Sequence, residues 1–281
     1  MEVIYTAAQL AAKTVSFRKA GKSVGFVPTM GALHEGHLSL IRICRHQNDF
    51  AVASIFVNPT QFNDKNDLKK YPRMPEKDLD MLRTAGCDVV FMPGEKEVYP
   101  EPDTRVFDFG ELDKVMEGKQ RPGHFNSVAQ VVTRLFDLVK PHRTYFGLKD
   151  FQQVAIIKKV VRDLHYPVEI VACPIVRESD GLAMSSRNML LSTEERKRAL
   201  NLSQSLFMAK KMKDQHTPAE VKRFVMDHIS SSPGIEPEYF EIVDGTHLMP
   251  ADTWEAPGYV IGCLAAHVGC VRLIDNINFS S

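Results

Sequence analysis

The sequence predicts an α/β fold, a doubly wound parallel sheet followed by a smaller α+β domain of helices and an antiparallel sheet. Three observations carry this prediction. Short apolar runs at residues 23–28, 50–57, 89–92, 144–147 and 168–175 alternate with segments of helical apolar spacing, the order a parallel sheet requires. After residue 175 the alternation stops, and two capped helical patterns precede β-rich runs punctuated by Gly and Pro. A chain of 281 residues, 44% apolar and 25% charged, can bury a sizeable core over about two domains, drawn here as 1–175 and 176–281.

The elements follow in order. Helical spacing of apolar residues is expected over 38–46, 76–85, 128–139 and 152–164, with Gly86 stopping the second and Pro141 following the third. Residues 106–109 are expected as an exposed strand suited to contacts. In the second part, Ser192-Thr193-Glu194-Glu195 reads as a capping box opening a helix through Arg198, Leu202, Leu206 and Met212. Thr217-Pro218-Ala219-Glu220 supplies a cap, Pro at the first helical position and a following Glu, and the helix pattern ends over 231–234. Strands are expected at 239–243, 259–266 and 271–274.

Charge and cysteine usage narrow the function. Lys plus Arg equal Asp plus Glu at 35 each, so no global field recommends nucleic acid or an anionic membrane as partner. Residues 1–6 lack the basic and apolar regions of an export signal, and no apolar run approaches the roughly 20 residues that cross a bilayer, so a cytoplasmic location is expected. Cys44, Cys87, Cys173, Cys263 and Cys270 include no Cys-x-x-Cys pair and read as reduced packing residues.

The densest signal is Phe26-Val27-Pro28-Thr29-Met30-Gly31-Ala32-Leu33-His34-Glu35-Gly36-His37, an apolar run, a Gly turn and two histidines three apart. A strand, turn and helix start present backbone N–H groups and a positive dipole end to a phosphate. Histidines at that spacing face one ligand. A pair of satisfied core histidines is the plainer reading, but Gly31, Ala32 and Gly36 clear room beside the rings. The zinc protease helix needs His-Glu-x-x-His, and the spacing here is shorter with Gly between.

Four further segments stand out, at strand ends, at the expected domain junction or, in one case, in a loop leading into the helix of Val128, Val131 and Val132. Asn58-Pro59-Thr60-Gln61-Phe62 places amides for an oriented polar ligand or merely caps a turn, and Asp78 downstream is the expected Mg²⁺ ligand. The run from Glu117 through Arg121 and His124 reads as a flexible basic loop, with a solvated charged loop as alternative. Phe146-Gly147-Leu148-Lys149-Asp150-Phe151-Gln152-Gln153 offers Lys149 to phosphate and Asp150 to ribose hydroxyls. The run from Val176 and Arg177 to Asp180-Gly181-Leu182-Ala183-Met184-Ser185-Ser186-Arg187-Asn188 combines hydroxyl donors with arginines into an anion clamp or forms a polar linker. Neither Gly-x-x-x-x-Gly-Lys-[Ser/Thr] nor Gly-x-Gly-x-x-Gly occurs.

His34-Glu35-Gly36-His37 resembles the His-x-Gly-His signature of the nucleotidylyltransferase superfamily, related to class I aminoacyl-tRNA synthetases. Met184-Ser185-Ser186-Arg187 looks like the second, mobile phosphate-binding loop of that superfamily. The longer strings from Val27 to His37, Phe56 to Phe62 and Asp180 to Asn188 resemble the pantothenate synthetase (pantoate–β-alanine ligase) family, and the resemblance runs over nearly the whole chain. It implies a Rossmann-like catalytic domain, a C-terminal lid and a homodimer. The implied reaction joins pantoate to β-alanine at the expense of ATP, through an enzyme-bound pantoyl adenylate, with Mg²⁺ accompanying the nucleotide.

Carried over residue by residue, the resemblance puts Met30, Gly31, Ala32, Leu33, His34, Glu35, Gly36 and His37 on ATP, with His37 as proton donor. Gly147, Leu148, Lys149, Asp150 and Val176 would hold the nucleoside, with Lys149 on the transferring phosphate, and Met184, Ser185, Ser186 and Arg187 would cover the triphosphate. Gln61 and Gln153, with Met30 and Val132, would grip pantoate, and Gln61 would also border β-alanine; Asn58, Arg121 and His124 would support that pocket. Leu148 stands where the family usually has Glu. Two other functions compete: an adenylyltransferase of the same superfamily acting on a phosphate ester, and a catalytically silent nucleotide sensor. The neutral amides of Gln61 and Gln153 suit a hydroxy acid better than a phosphorylated acceptor, and a sensor has no need of every phosphate-charge donor.

Overall fold

In a computed structural model, which describes residues 1–63, 65–255 and 258–280, the chain divides into two compact units. The first comprises Met1–Phe109, Arg121–Leu148 and Gln153–Pro174; the second comprises Gly110–Gln120, Lys149–Gln152 and the rest of the chain from Ile175. The main boundary lies one residue before the one drawn from sequence, and two short segments of the earlier half pack with the second unit.

The first unit opens with β1 (Glu2–Ile4) and α1 (Ala7–Lys19), then β2 (Val24–Thr29), α2 (Glu35–Gln47) and β3 (Phe50–Ile55). It continues through α3 (Lys65–Lys70), α4 (Pro75–Thr84), β4 (Val89–Phe91) and α5 (Glu95–Val98). After the excursion that carries α6 (Met116–Gln120) come α7 (His124–Val139), β5 (Arg143–Gly147), α8 (Phe151–Asp163) and β6 (Glu169–Cys173). All the strand pairings are parallel, in the order β1-β4-β3-β2-β5-β6. Chain order reverses direction beside β2, between β3 on one side and β5 on the other. The carboxyl ends of β2 and β5 therefore form the switch point where such sheets bind ligands.

Strand alternation explains the double winding. Val24 and Phe26 of β2, Val52 of β3, Val89 and Phe91 of β4 and Phe146 of β5 share one apolar cluster with Leu10 and Phe17 of α1, the α7 valines, and Val154 and Ile157 of α8. Their neighbours Val27, Ala51, Ala53, Val90 and Tyr145 join Leu38, Ile41 and Leu82, from α2 and α4, in a second cluster on the other face. A period of two on strands buried on both sides yields near-continuous apolar runs, which is why these strands were legible.

Two elements at the start went unpredicted. β1 is three residues long, and α1 buries only Leu10, Thr14 and Phe17 among alanines, too sparse a stripe to stand out. Its capping box, Thr6 with Gln9, was a readable signal. Conversely, no strand forms over 106–109: Phe107 N–H is taken by Asn126 Oδ1 instead of a neighbouring strand, and Val106 is 87% exposed.

The second unit carries α9 (Thr193–Met212), α10 (Pro218–Ser230), β7 (Ile235–Asp244), β8 (Val260–Val268) and β9 (Val271–Asn278). The expected capping box of Ser192 with Glu195 is present, and the expected Thr217 cap also forms a box, with Glu220. The strands form an antiparallel sheet in the order β7-β8-β9, and α9 and α10 share its apolar core through Leu202, Leu206, Val221, Val225 and Ile229. β9 runs four residues beyond the expected 271–274 because the polar Asp275 and Asn276 are buried and bonded there, so hydropathy alone ends the strand early.

Candidate active site

The turn after β2 is built by side chains that accept its backbone donors. Thr29 Oγ1 donates to Ser54 O (2.7 Å) and accepts from Gly31 N (3.2 Å). Asp78, 1% exposed on α4, accepts from Ala32 N through Oδ2 (2.9 Å) and from Leu33 N through Oδ1 (2.8 Å). Gly31 (φ 79°) and Ala32 (φ 51°) are both left-handed, a conformation that Gly31 adopts without cost and Ala32 does not. A Cβ at Gly31 would meet Asp78 Oδ2 at 3.0 Å and Ile55 at 3.1 Å.

The histidines complete the turn as a reciprocal cap of α2. His34 is the N-cap and its Nδ1 accepts from Gly36 N (3.2 Å); His37 Nδ1 accepts from His34 N (3.3 Å). The rings lie 4.1 Å apart, tilted by 45°. Because each Nδ1 is an acceptor, the neutral rings carry their proton on Nε2. Part of the backbone cradle expected from sequence is taken up by the protein itself: the N–H groups of Gly31, Ala32, Leu33, His34 and Gly36 have internal acceptors, and the two imidazoles stand beside them as candidate phosphate donors.

The same geometry redefines Asp78. Both its oxygens face N–H donors, and burial pushes its carboxyl above the usual range against the pull of those bonds. That environment does not fit a magnesium ligand, which needs oxygen lone pairs turned to the ion and its waters. Among the described residues no group of three His, Cys, Asp or Glu side chains is arranged to hold a metal.

Gln61 sits at the end of a 3₁₀ turn, Pro59–Gln61, that follows β3. Its Nε2 lies 3.1 Å from Met30 Sδ, bringing the amide against the turn after β2. Gln61 O accepts from His124 Nδ1 (3.0 Å) and Arg121 Nη2 (3.4 Å), while Arg121 Nη1 donates to His124 Nε2 (3.1 Å). Arginine has no acceptor, so His124 carries its proton on Nδ1, the opposite tautomer to His34 and His37. Asn58, 1% exposed, accepts from Thr60 Oγ1 and Tyr99 OH. Thus Asn58, Arg121 and His124 shape the Gln61 turn, and Tyr99 joins them, unsignalled in sequence because the bond spans 41 residues. Val132 is 5% exposed within the apolar core, and Gln153 is half-buried in the first turn of α8.

The second unit supplies its own set. Lys149 and Asp150 lie in the 3₁₀ turn Leu148–Asp150 beyond Gly147, with Lys149 Nζ 3.7 Å from Asp150 Oδ1. Val176 O accepts from Met184 N (3.0 Å), and Arg177 pairs with Ala183 as an antiparallel bridge, closing a hairpin that leads into the 184–187 segment. Ser185 caps a 3₁₀ turn, Ser186–Leu190, accepting from Arg187 N (3.2 Å). Asn188 Nδ2 braces it to Glu178 Oε1 and Ala183 O.

The segment expected as a flexible basic loop is in part ordered and buried. α6 spans Met116–Gln120, and Glu117, 8% exposed, pairs with Arg272 and accepts from Tyr239 OH (2.8 Å). The Arg272 guanidinium 155 residues away compensates the buried charge, and nothing local announces it.

A six-stranded parallel sheet with turns at the carboxyl ends of its switch-point strands, in a chain that also carries a small α+β unit, has the architecture of a Rossmann-like nucleotide-binding protein. Comparison with known proteins is specific. The family model for pantoate–β-alanine ligase matches residues 2–278. The pantothenate synthetase of Bacteroides fragilis is 54% identical over 279 residues, 99% of each chain, and that of Porphyromonas gingivalis is 53% identical over 99% of each. The crystal structure of the Thermus thermophilus pantothenate synthetase superposes with a TM-score of 0.93 at 44% identity, covering 99% of both chains. The Francisella tularensis pantoate–β-alanine ligase, solved with β,γ-ATP and β-alanine, gives 0.83 at 34% identity over 100% of this chain and 98% of that one. The chain belongs to the pantoate–β-alanine ligase family and is an enzyme of the ligase class.

Proposed function

We propose that the protein condenses (R)-pantoate with β-alanine to pantothenate, converting ATP to AMP and diphosphate, within pantothenate and coenzyme A biosynthesis. A carboxylate is a poor electrophile. In this reading a pantoate carboxylate oxygen first attacks the α-phosphorus of ATP, expelling diphosphate and leaving pantoyl adenylate on the enzyme. The β-alanine amine then attacks the acyl carbon, the C–O bond to AMP breaks, and the amine proton passes to solvent. No covalent enzyme nucleophile takes part, so alignment and phosphate-charge stabilisation carry the rate.

The observation that carries the reading is the His34–His37 pair at the switch point, with both Nδ1 atoms engaged and each neutral ring's proton on Nε2. In the proposal these rings donate to ATP phosphates, and His37 is the proton donor. Lys149 stabilises the transferring phosphoryl group. Gly147, Leu148, Asp150 and Val176 hold the nucleoside, while Met184, Ser185, Ser186 and Arg187 bind the triphosphate. Gln61 and Gln153 hold pantoate alongside Met30 and Val132, and Gln61 borders β-alanine. Magnesium accompanies the nucleotide and would neutralise the departing diphosphate.

Supplying purified protein with ATP, pantoate and β-alanine tests the reading, with AMP expected only when both other substrates are present. AMP formed without pantoate, or none at all, overturns it. Pantoate-dependent exchange of labelled diphosphate into ATP without β-alanine tests the adenylate step. The same reading includes a homodimer, checked by analytical ultracentrifugation, and a cytoplasmic location, which five free thiols favour.

A further inference from the structure

The end of β9 touches both segments that the proposed reaction draws from the second unit. Asn276, 5% exposed, donates from Nδ2 to Lys149 O at 2.9 Å. Lys149 lies in the 3₁₀ turn Leu148–Asp150, whose hydrogen-bond geometry is poorer than that of the α-helix it leads into, so a bond from outside the turn adds to what holds its backbone. Gln152 secures the other end of this segment, accepting from Glu117 N (2.9 Å) and donating to Leu112 O (2.7 Å) and Val115 O (2.9 Å). Lys149–Gln152 consequently packs with the second unit.

One residue earlier, Asp275 is 3% exposed and holds Arg177 through two bonds of 2.7 and 2.9 Å. Arg177 also donates to Gly181 O (3.1 Å) and to Asn276 O (3.2 Å), at the base of the hairpin leading to Ser185, Ser186 and Arg187. A buried ion pair is weak evidence of stabilisation, since apolar residues of similar volume often replace it without loss. Asp275 and Asn276 are consecutive on β9 and each reaches a different one of the two segments, which suits a role in placing them.

We propose that β9 is a positioning strand for the reaction: Asn276 fixes the backbone from which the Lys149 side chain projects, while Asp275 and Arg177 fix the base of the 184–187 segment. The inference rests on the reading that Lys149 acts on the transferring phosphoryl group. Asn276 is a positioning residue, acting through Lys149.

Single-turnover adenylation of pantoate, measured beside equilibrium binding of ATP and thermal unfolding, tests it with Asn276→Ala and the near-isosteric Asn276→Leu, which retains volume but removes the donor. Both variants are expected to lose on the order of tenfold in adenylation rate with ATP affinity changed less than about threefold. An unchanged rate, a rate loss matched by an equal loss of ATP affinity, or full activity in Asn276→Leu overturns the proposal. Should Asn276→Ala fail to fold, Asn276→Leu carries the test. Lys149→Ala separates the two levels. Near-normal turnover in that variant removes the Lys149 role and this inference with it, whereas a rate at background beside normal Asn276 variants removes the inference alone.

Discussion

Asp78 illustrates how one residue's chemistry depends on what surrounds it. From the sequence it is an acidic residue downstream of a strand end; in the fold it is a buried acceptor of two adjacent N–H groups in the turn preceding His34. Asp78→Asn keeps the shape but turns an amide NH₂ toward one of those donors. We predict a loss of about 2–3 kcal/mol in urea unfolding, the usual scale for a buried charge-assisted bond, together with a fall in adenylation rate. The Mg²⁺ concentration giving half-maximal activity should stay unchanged. A large rise in that concentration with stability intact would restore Asp78 as a metal ligand. Gly31→Ala should be at least as damaging, because it combines a left-handed backbone with a Cβ 3.0 Å from Asp78 Oδ2.

Elements that close on themselves were the readable ones. α9 announces its start through a capping box and α10 through a Thr cap followed by Pro and Glu, each within four residues, and both helices form as expected. Ser192→Ala should cost about 1 kcal/mol in denaturant unfolding, since it orphans the Glu195 N–H. The sheet they cover responds to volume instead of caps. Gly262 lies under Phe240 and Phe279 in the central strand β8, where a Cβ would stand 2.8 Å from both rings. Gly262→Ala is expected to lower stability by about 1–3 kcal/mol through overpacking; a neutral result in the same measurement would mean that the rings move freely. β9 was read four residues too short because its last polar residues answer to partners outside the strand.

For the molecule as a whole, acid stability rests in part on Asp103. Its side chain is 3% exposed and receives a bidentate Arg105 and Arg134 from α7, and the Arg105 guanidinium holds its carboxyl down at about 2. A carboxyl held below its unfolded value of 3.8 stabilises the fold above that pH, and the contribution vanishes as pH falls from 3.8 through about 2. Wild type should exceed Asp103→Asn by about 2 kcal/mol near neutral pH, with the gap closing below pH 2. A gap independent of pH would show that Asp103 acts only through packing.

The sequence by itself determined the parallel sheet, its helices, the capped C-terminal helices, and the family with its histidine and Met-Ser-Ser-Arg motifs. The sheet and helices repeat or close within a few residues, so spacing and hydropathy encode them directly, whereas the family was legible only as a resemblance to known motifs. Only tertiary structure decided that Asp78 braces the turn it was expected to serve as a metal ligand, that residues 110–120 are anchored by Arg272, and that Asn276 reaches the Lys149 backbone across 127 residues. Each is a buried polar group whose partner is distant along the chain. Burial makes the partner obligatory, and nothing in the local pattern says where that partner lies.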